Sequence, residues 1–250
     1  MQRAMLLTNK NSIIEAMRAG RKVHRVTVHS GARPGGRIDE IIGECGRLKI
    51  PVGREDLSAS GKGREGSRPV VVASCADFQY SDIGDVLDGA KGGDGLKAAL
   101  ALDHVQDPRN LGAVIRACAA GGVTGVVLEK RRCCKVTDAA SDTSSGGIEH
   151  VKVARVANLA NAIEKAKKEG FWIVGAGEEG KVEMWDFDFA FPVLLVMGGE
   201  EKGLARLVRE KCDDVVRIPT SGSFSTLNVS AAAAVLIFEI RRKWLLKKKV

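Results

Sequence analysis

Three stretches of this 250-residue chain carry side chains whose types and spacing could do chemistry. The first is Asp107-Pro-Arg-Asn110-Leu-Gly-Ala-Val-Ile-Arg116. Asn110 suits a helix N-cap, since its side-chain oxygen can take an orphan backbone N–H. Arg116 follows one to two turns later and can project near the same helix end. A cap followed by a surface arginine would look the same in isolation. The second stretch is Val196-Met-Gly198-Gly199-Glu200-Glu-Lys-Gly203-Leu204. Its glycines let a ligand approach the backbone closely. A phosphate cradle would place Lys, Ser or Thr here, whereas Glu200 and Glu201 disfavour phosphate and tolerate a neutral adenosine or a sulfonium cation. The third is Ile218-Pro-Thr-Ser-Gly-Ser-Phe-Ser-Thr226-Leu227-Asn228-Val-Ser230, dense in hydroxyl and amide donors and acceptors.

A fourth motif fails on its surroundings. Gly175-Ala-Gly177-Glu-Glu-Gly180 matches the dinucleotide fingerprint, which requires a helix to open directly after it. The residues that follow, 181–192, show no helical stripe, and Glu178 and Glu179 would repel a pyrophosphate. An ordinary turn beside the site is the better reading. The six cysteines form no C-x-x-C pair and the four histidines have no metal-ligand spacing. They are read as reduced structural thiols and structural imidazoles, His104 and His150 included, with no metal implied.

The elements that position these stretches follow from apolar patterning. Strands are expected at 98–102, 123–128, 151–156, 171–176, 193–197 and 215–218, and helices at 111–120, 159–168, 204–211 and 229–246. Continuous Val, Leu and Ile runs between amphipathic helices indicate an α/β fold with a mostly parallel sheet covered on both faces. Ligand sites in such sheets gather at the C-terminal strand ends, where all three stretches lie. Earlier in the chain, helices at 11–19 and 38–48 and strands at 23–28, 50–52 and 70–73 make a small α/β module, with 61–66 a mobile basic loop. The glycine-rich segment 89–97 reads as a linker. It divides the chain into a unit over 1–88 and a larger one over 98–250.

Net charge is +8, and residues 1–76 hold 14 Lys and Arg against 7 Asp and Glu. An anionic partner is favoured, nucleic acid first. Aromatic residues make up 4% of the chain, which disfavours recognition by base stacking and favours phosphate contacts and shape. The start lacks a signal-peptide apolar run, and no stretch is long enough to span a bilayer, so a soluble cytoplasmic protein with no membrane partner is expected.

In this order and spacing, the three stretches resemble the signatures of the SpoU (TrmH-like) methyltransferases of the SPOUT superfamily. The resemblance covers 101–242 and includes Ser145-Gly-Gly-Ile-Glu-His150 and the stretch 153–160. It is nearest to bacterial enzymes that methylate a guanosine ribose in 23S rRNA. The amino-terminal part resembles their L30e-like substrate-binding domain, although Ser67-Arg-Pro69 stands where those domains often carry His-Gln-Gly. The resemblance implies a carboxy-terminal trefoil knot, a homodimer packed through that region, RNA as substrate and S-adenosylmethionine as methyl donor. It implies that Gly198, Glu200, Ile218 and Leu227 frame the cofactor pocket, with Gly199, Gly203 and Thr226 in the same two turns. Asn110, Arg116, Glu200 and Asn228 match the polar residues around the reacting ribose. Thr226 replaces the usual Ser and keeps the hydroxyl. A guanidinium almost never releases its proton, so Arg116 is better read as a phosphate clamp and alkoxide stabiliser than as a general base. Two alternatives stay open: a tRNA or an antibiotic-binding rRNA stretch as substrate, and a non-catalytic RNA-binding protein.

Overall fold

The computed structural model describes residues 4–33, 35–57, 69–199, 203–222 and 227–249. Two sheets organise them. The larger has seven strands: β5 (Ala98–Leu102), β6 (Gly125–Glu129), β7 (Lys152–Val156), β8 (Trp172–Ala176), β9 (Val182–Glu183), β10 (Val193–Met197) and β11 (Asp214–Arg217). Their order is β7-β6-β5-β10-β8-β11-β9, and every neighbouring pair is parallel. Every residue of β5, β6 and β10 is buried, as strands covered on both faces must be.

The two-residue period of a strand sorts those side chains between two apolar layers. Leu100, Leu102, Val126, Val193, Leu195 and Met197 face one layer. Ala99, Ala101, Val127, Leu194 and Val196 face the other. Onto the first pack α4 (Pro108–Gly121) and α8 (Val229–Lys247), through Leu111, Ile115, Leu236 and Ile237. Onto the second pack α3 (Ile83–Lys91), α6 (Leu159–Lys168) and α7 (Arg206–Glu210).

The smaller sheet has the order β1-β4-β2-β3, from β1 (Met5–Leu7), β2 (Val23–His29), β3 (Val52–Glu55) and β4 (Val71–Cys75). It is flanked by α1 (Lys10–Arg18) and α2 (Arg37–Leu48). Its core residues Leu7, Ile13, Val26, Ile41 and Ala73 belong to the same continuous apolar cluster as α4 and α8. The small unit is therefore packed onto the large one and not merely tethered to it.

The structure revises the linker. Residues 89–91 end α3, and Val86, Leu87 and Ala90 are fully buried against the large sheet. Burial of that apolar face outweighs the low helix propensity of Gly84 and Gly89. Only 92–97 stay without helix or strand. Strands β1 and β9 and the short helix α5 (Asp138–Thr143) were not expected from the sequence. The basic loop 61–66 lies outside the described residues. None of the helices is long and apolar enough to cross a membrane, among the described residues.

Candidate active site

The C-terminal ends of parallel strands share one edge, so the residues after β5, β10 and β11 emerge on the same side of the sheet. Past β10 the chain folds back on itself. Gly199 N donates to Gly203 O at 3.2 Å and Gly203 N to Gly199 O at 3.1 Å. The glycines are dictated by crowding. A Cβ on Gly198 would fall 2.1 Å from the Gly203 carbonyl carbon, and one on Gly199 would fall 2.7 Å from the His104 oxygen. Gly203 has φ +59°, in the left-handed region that glycine occupies without cost. The middle of this turn, Glu200 included, lies outside the described residues, as does Thr226.

A residue that the sequence reading missed holds the turn in place. Asp103 closes β5 and is 0% exposed. Its Oδ2 accepts the Ala205 N–H at 2.8 Å, while its own N–H donates to Met197 O at 2.9 Å. His104 follows with φ +64°, its Nδ1 2.5 Å from Asp103 Oδ1. An aspartate directly after the apolar run 98–102 was the available signal. A buried carboxylate needs partners, and the Ala205 N–H provides one for Oδ2. Cys133 and Cys134 brace the same segment, with Cys134 N donating to Val105 O and the Cys133 thiol to Leu102 O. Burial pushes the Cys134 thiol up to about 11, and Cys133 upward too, so neither offers a thiolate at neutral pH.

Asn110 is not the N-cap of α4. Asp107 takes that place, accepting the Arg109 N–H at 2.8 Å, and Pro108 fills the first helical position. Pro needs no N–H there, which makes Asp-Pro the stronger start. Asn110 instead sits in the first turn, and its Oδ1 accepts a hydrogen bond from Asn228 Nδ2 at 3.1 Å. Asn228 caps α8, its Oδ1 accepting from Ser230 N at 2.9 Å and Ser230 Oγ at 2.6 Å. The first and third stretches are thus joined at the N-termini of two helices. Ile218 follows β11 directly and packs against the core, and Leu227 is 44% exposed next to Asn228.

Arg116 lies elsewhere on α4. Its Nη1 donates to Ser145 Oγ at 3.3 Å. It lines a cleft of about 340 Å³ between α1 and α4, together with Glu15, Arg37, Ser145 and His150. No residue of 198–203 or 218–228 lines that cleft, among the described residues. The expected meeting of Arg116 with Asn110 and Asn228 is therefore not made through direct contact. Six residues of helix turn its side chain away from the face that Asn110 presents to α8.

The turn Gly177–Gly180 leads into β9 and opens no helix, as its surroundings implied. Among the described residues no group of three His, Cys, Asp or Glu side chains could hold a metal ion.

Comparison with known proteins falls on the segment that carries these features. Residues 97–238 match the model of the SpoU rRNA Methylase family. A protein of Staphylococcus saprophyticus assigned to the TrmH family of tRNA/rRNA methyltransferases is 34% identical over 239 residues, covering 96% of both chains. YacO of Bacillus subtilis, assigned likewise, is 34% identical over 234 residues, covering 94% of both. The crystal structure of the SpoU methyltransferase AviRb from Streptomyces viridochromogenes, in complex with the cofactor AdoMet, superposes with a TM-score of 0.79 at 24% identity. It covers 97% of this chain and 91% of that one.

Proposed function

The chain belongs to the SpoU rRNA methylase family, and on that premise we propose that it transfers the methyl group of S-adenosylmethionine to a ribose 2′ oxygen of RNA, with a guanosine of 23S rRNA as target. The observation that carries the reading is the crowded glycine turn at the end of β10, on the same sheet edge as the Asn110–Asn228 pair. Gly198, Gly199 and Gly203 put no side chain between this backbone and a neighbouring group, which suits a ligand held by main-chain groups. The AdoMet complex of AviRb, the same fold, supports that choice of donor.

S-adenosylmethionine, when bound, supplies an electrophilic methyl carbon and a neutral thioether leaving group, so no metal is needed. The work left to this chain is mainly positioning. Gly198, Gly199, Gly203, Ile218 and Leu227, with Glu200 and Thr226, would hold the donor. Asn110 and Asn228 would fix the two helix starts beside it. Arg116 would clamp the target phosphate and stabilise developing alkoxide charge. A single protomer seats Arg116 away from the asparagines, and a homodimer built through the C-terminal unit would add a second set of strand ends. The helix α8 supports such a dimer, since Val235, Phe238, Leu245 and Leu246 are exposed on it. The trefoil knot of the family completes this picture.

Calorimetry with S-adenosylmethionine tests the donor site, and ribose-methylation mapping of RNA from cells lacking the protein tests the target. Uptake of the donor plus one missing guanosine methyl group in 23S rRNA is expected. A chain that binds RNA but takes up no donor would be a binding protein instead. A missing mark in tRNA would move the substrate. Arg116→Ala should abolish transfer while leaving donor affinity nearly intact, and unchanged turnover would remove Arg116 from the reaction.

A further inference from the structure

We infer that Ser145 is a positioning residue for Arg116, through which the amino-terminal unit controls methyl transfer; this rests on the function proposed above. The Ser145 hydroxyl stands between the two units. Arg116 Nη1 reaches it at 3.3 Å from α4, and Asn9 Nδ2 reaches it at 3.3 Å from the start of α1. Neither approach is accidental. Asn9 caps α1, its Oδ1 accepting from Asn11 N at 2.9 Å and Ser12 N at 3.4 Å. With the amide oxygen committed to the helix, the NH2 group is left to face Ser145. The backbone of Asn9 is held as well. Asp142, three residues before Ser145, accepts from Thr8 N at 2.9 Å, Thr8 Oγ1 at 2.5 Å and Asn9 N at 3.0 Å.

Ser145 itself has φ +51°, a left-handed conformation that a serine adopts only when its surroundings impose it. The glycines after it leave no slack. A Cβ on Gly146 would lie 2.6 Å from the Glu15 side chain, and one on Gly147 would lie 3.1 Å from the Arg116 Cα. The segment 145–147 is thus wedged between α1 and α4, with its hydroxyl in the cleft that Arg116 lines. A long guanidinium side chain has many rotamers, and a fixed acceptor favours those that reach it before substrate arrives. That acceptor is fixed only while the amino-terminal unit is seated.

Ser145→Gly is the informative variant. Glycine takes φ +51° without strain, so a purely structural role predicts unchanged or higher thermal stability and full activity. The positioning role predicts the same stability, unchanged S-adenosylmethionine affinity, and a kcat reduced on the order of tenfold with little change in KM for RNA. Asn9→Ser keeps a capping oxygen but withdraws the amide, and should lower kcat in the same way. Combined with Ser145→Gly it should add no further loss, because both break one chain of contacts. Wild-type kcat in Ser145→Gly, or losses that multiply in the double variant, would overturn the coupling and leave the methyltransferase reading intact. A wild-type chain that transfers no methyl group to any RNA would overturn both.

Discussion

Asn228 Nδ2 donates to Asn110 Oδ1 at 3.1 Å, tying the N-cap of α8 to the first turn of α4. The two residues are far apart in sequence, yet their helices run side by side from this point. Further along, a Cβ on Gly121 would strike Ile237, and Arg241 Nη1 donates to Gly121 O at 3.0 Å. Asn228 therefore does two jobs, capping α8 with its oxygen and reaching α4 with its nitrogen. The two can be separated. Asn228→Ala should cost about 1 kcal/mol of stability through the lost cap and lower methyl transfer on the order of tenfold. Asn228→Ser should regain most of the stability, since serine caps well, but not the rate. Thermal melts alongside single-turnover assays check this. Recovery of both together in the serine variant would mean that the cap is the whole effect.

Gly198→Ala offers a sharper test of the turn. The added methyl would sit 2.1 Å from the Gly203 carbonyl carbon, which the tight bridge cannot absorb. Relief requires the Gly199–Gly203 hydrogen bonds to open, an overpacking cost of about 1–3 kcal/mol. Donor affinity should fall by about tenfold or more, measured by calorimetry, with the sheet otherwise intact by circular dichroism. Undiminished affinity would place the donor elsewhere.

What was legible in the sequence follows the range of the forces involved. The strands β5 and β10 stand out because both faces are buried, so Ala98–Leu102 and Val193–Met197 read as unbroken apolar runs. The three strand-end stretches were legible for the same reason: they interrupt those runs with glycine, carboxylate and amide. Asn110 was misplaced because a cap is chosen by competition, and Asp107 followed by Pro108 wins it locally. The helix α3 was hidden by its glycines, since the burial of Val86 and Leu87 that stabilises it comes from strands later in the chain. Least legible was the seating of the amino-terminal unit. Asp138 accepts the Leu6 N–H at 3.1 Å and Asp142 those of Thr8 and Asn9, pairings more than a hundred residues apart that no periodicity reports.

That seating also includes a buried ion pair. Arg21 Nη1 lies 2.9 Å from Glu149 Oε1, with the two side chains only 8% and 9% exposed. Arg21 also donates through Nε and Nη2 to Ala76 O, at 3.0 and 2.9 Å. Removing one partner strands the other charge in a dry interface, which costs about 3–5 kcal/mol. Arg21→Met should therefore destabilise the chain strongly in urea titrations, and Glu149→Gln somewhat less, because an amide still accepts from the guanidinium. A double Arg21→Met, Glu149→Leu variant should recover much of the loss. If the double is as unstable as the sum of the singles, the pair is not coupled as the geometry implies.

Acid should loosen the same seam in a way that can be traced to one carboxylate. Glu15 Oε2 sits 2.8 Å from His150 Nε2, across the wall of the Arg116 cleft. That hydrogen bond holds the Glu15 carboxyl below its ordinary value of 4.5, and Arg18 adds to the effect while partial burial opposes it. A carboxyl whose folded value is depressed binds protons more weakly in the folded state than in the unfolded one. Its contribution to stability is thus complete above 4.5 and is lost as pH falls through the depressed folded value. Glu15→Gln should be less stable than the wild type at neutral pH, and the two should converge once Glu15 is protonated in both states. Urea midpoints for both chains, followed from neutral pH to well below 4.5, measure the gap directly. A gap of constant size across that range would show that glutamine disturbs the packing and that the Glu15 charge contributes nothing to holding the cleft together.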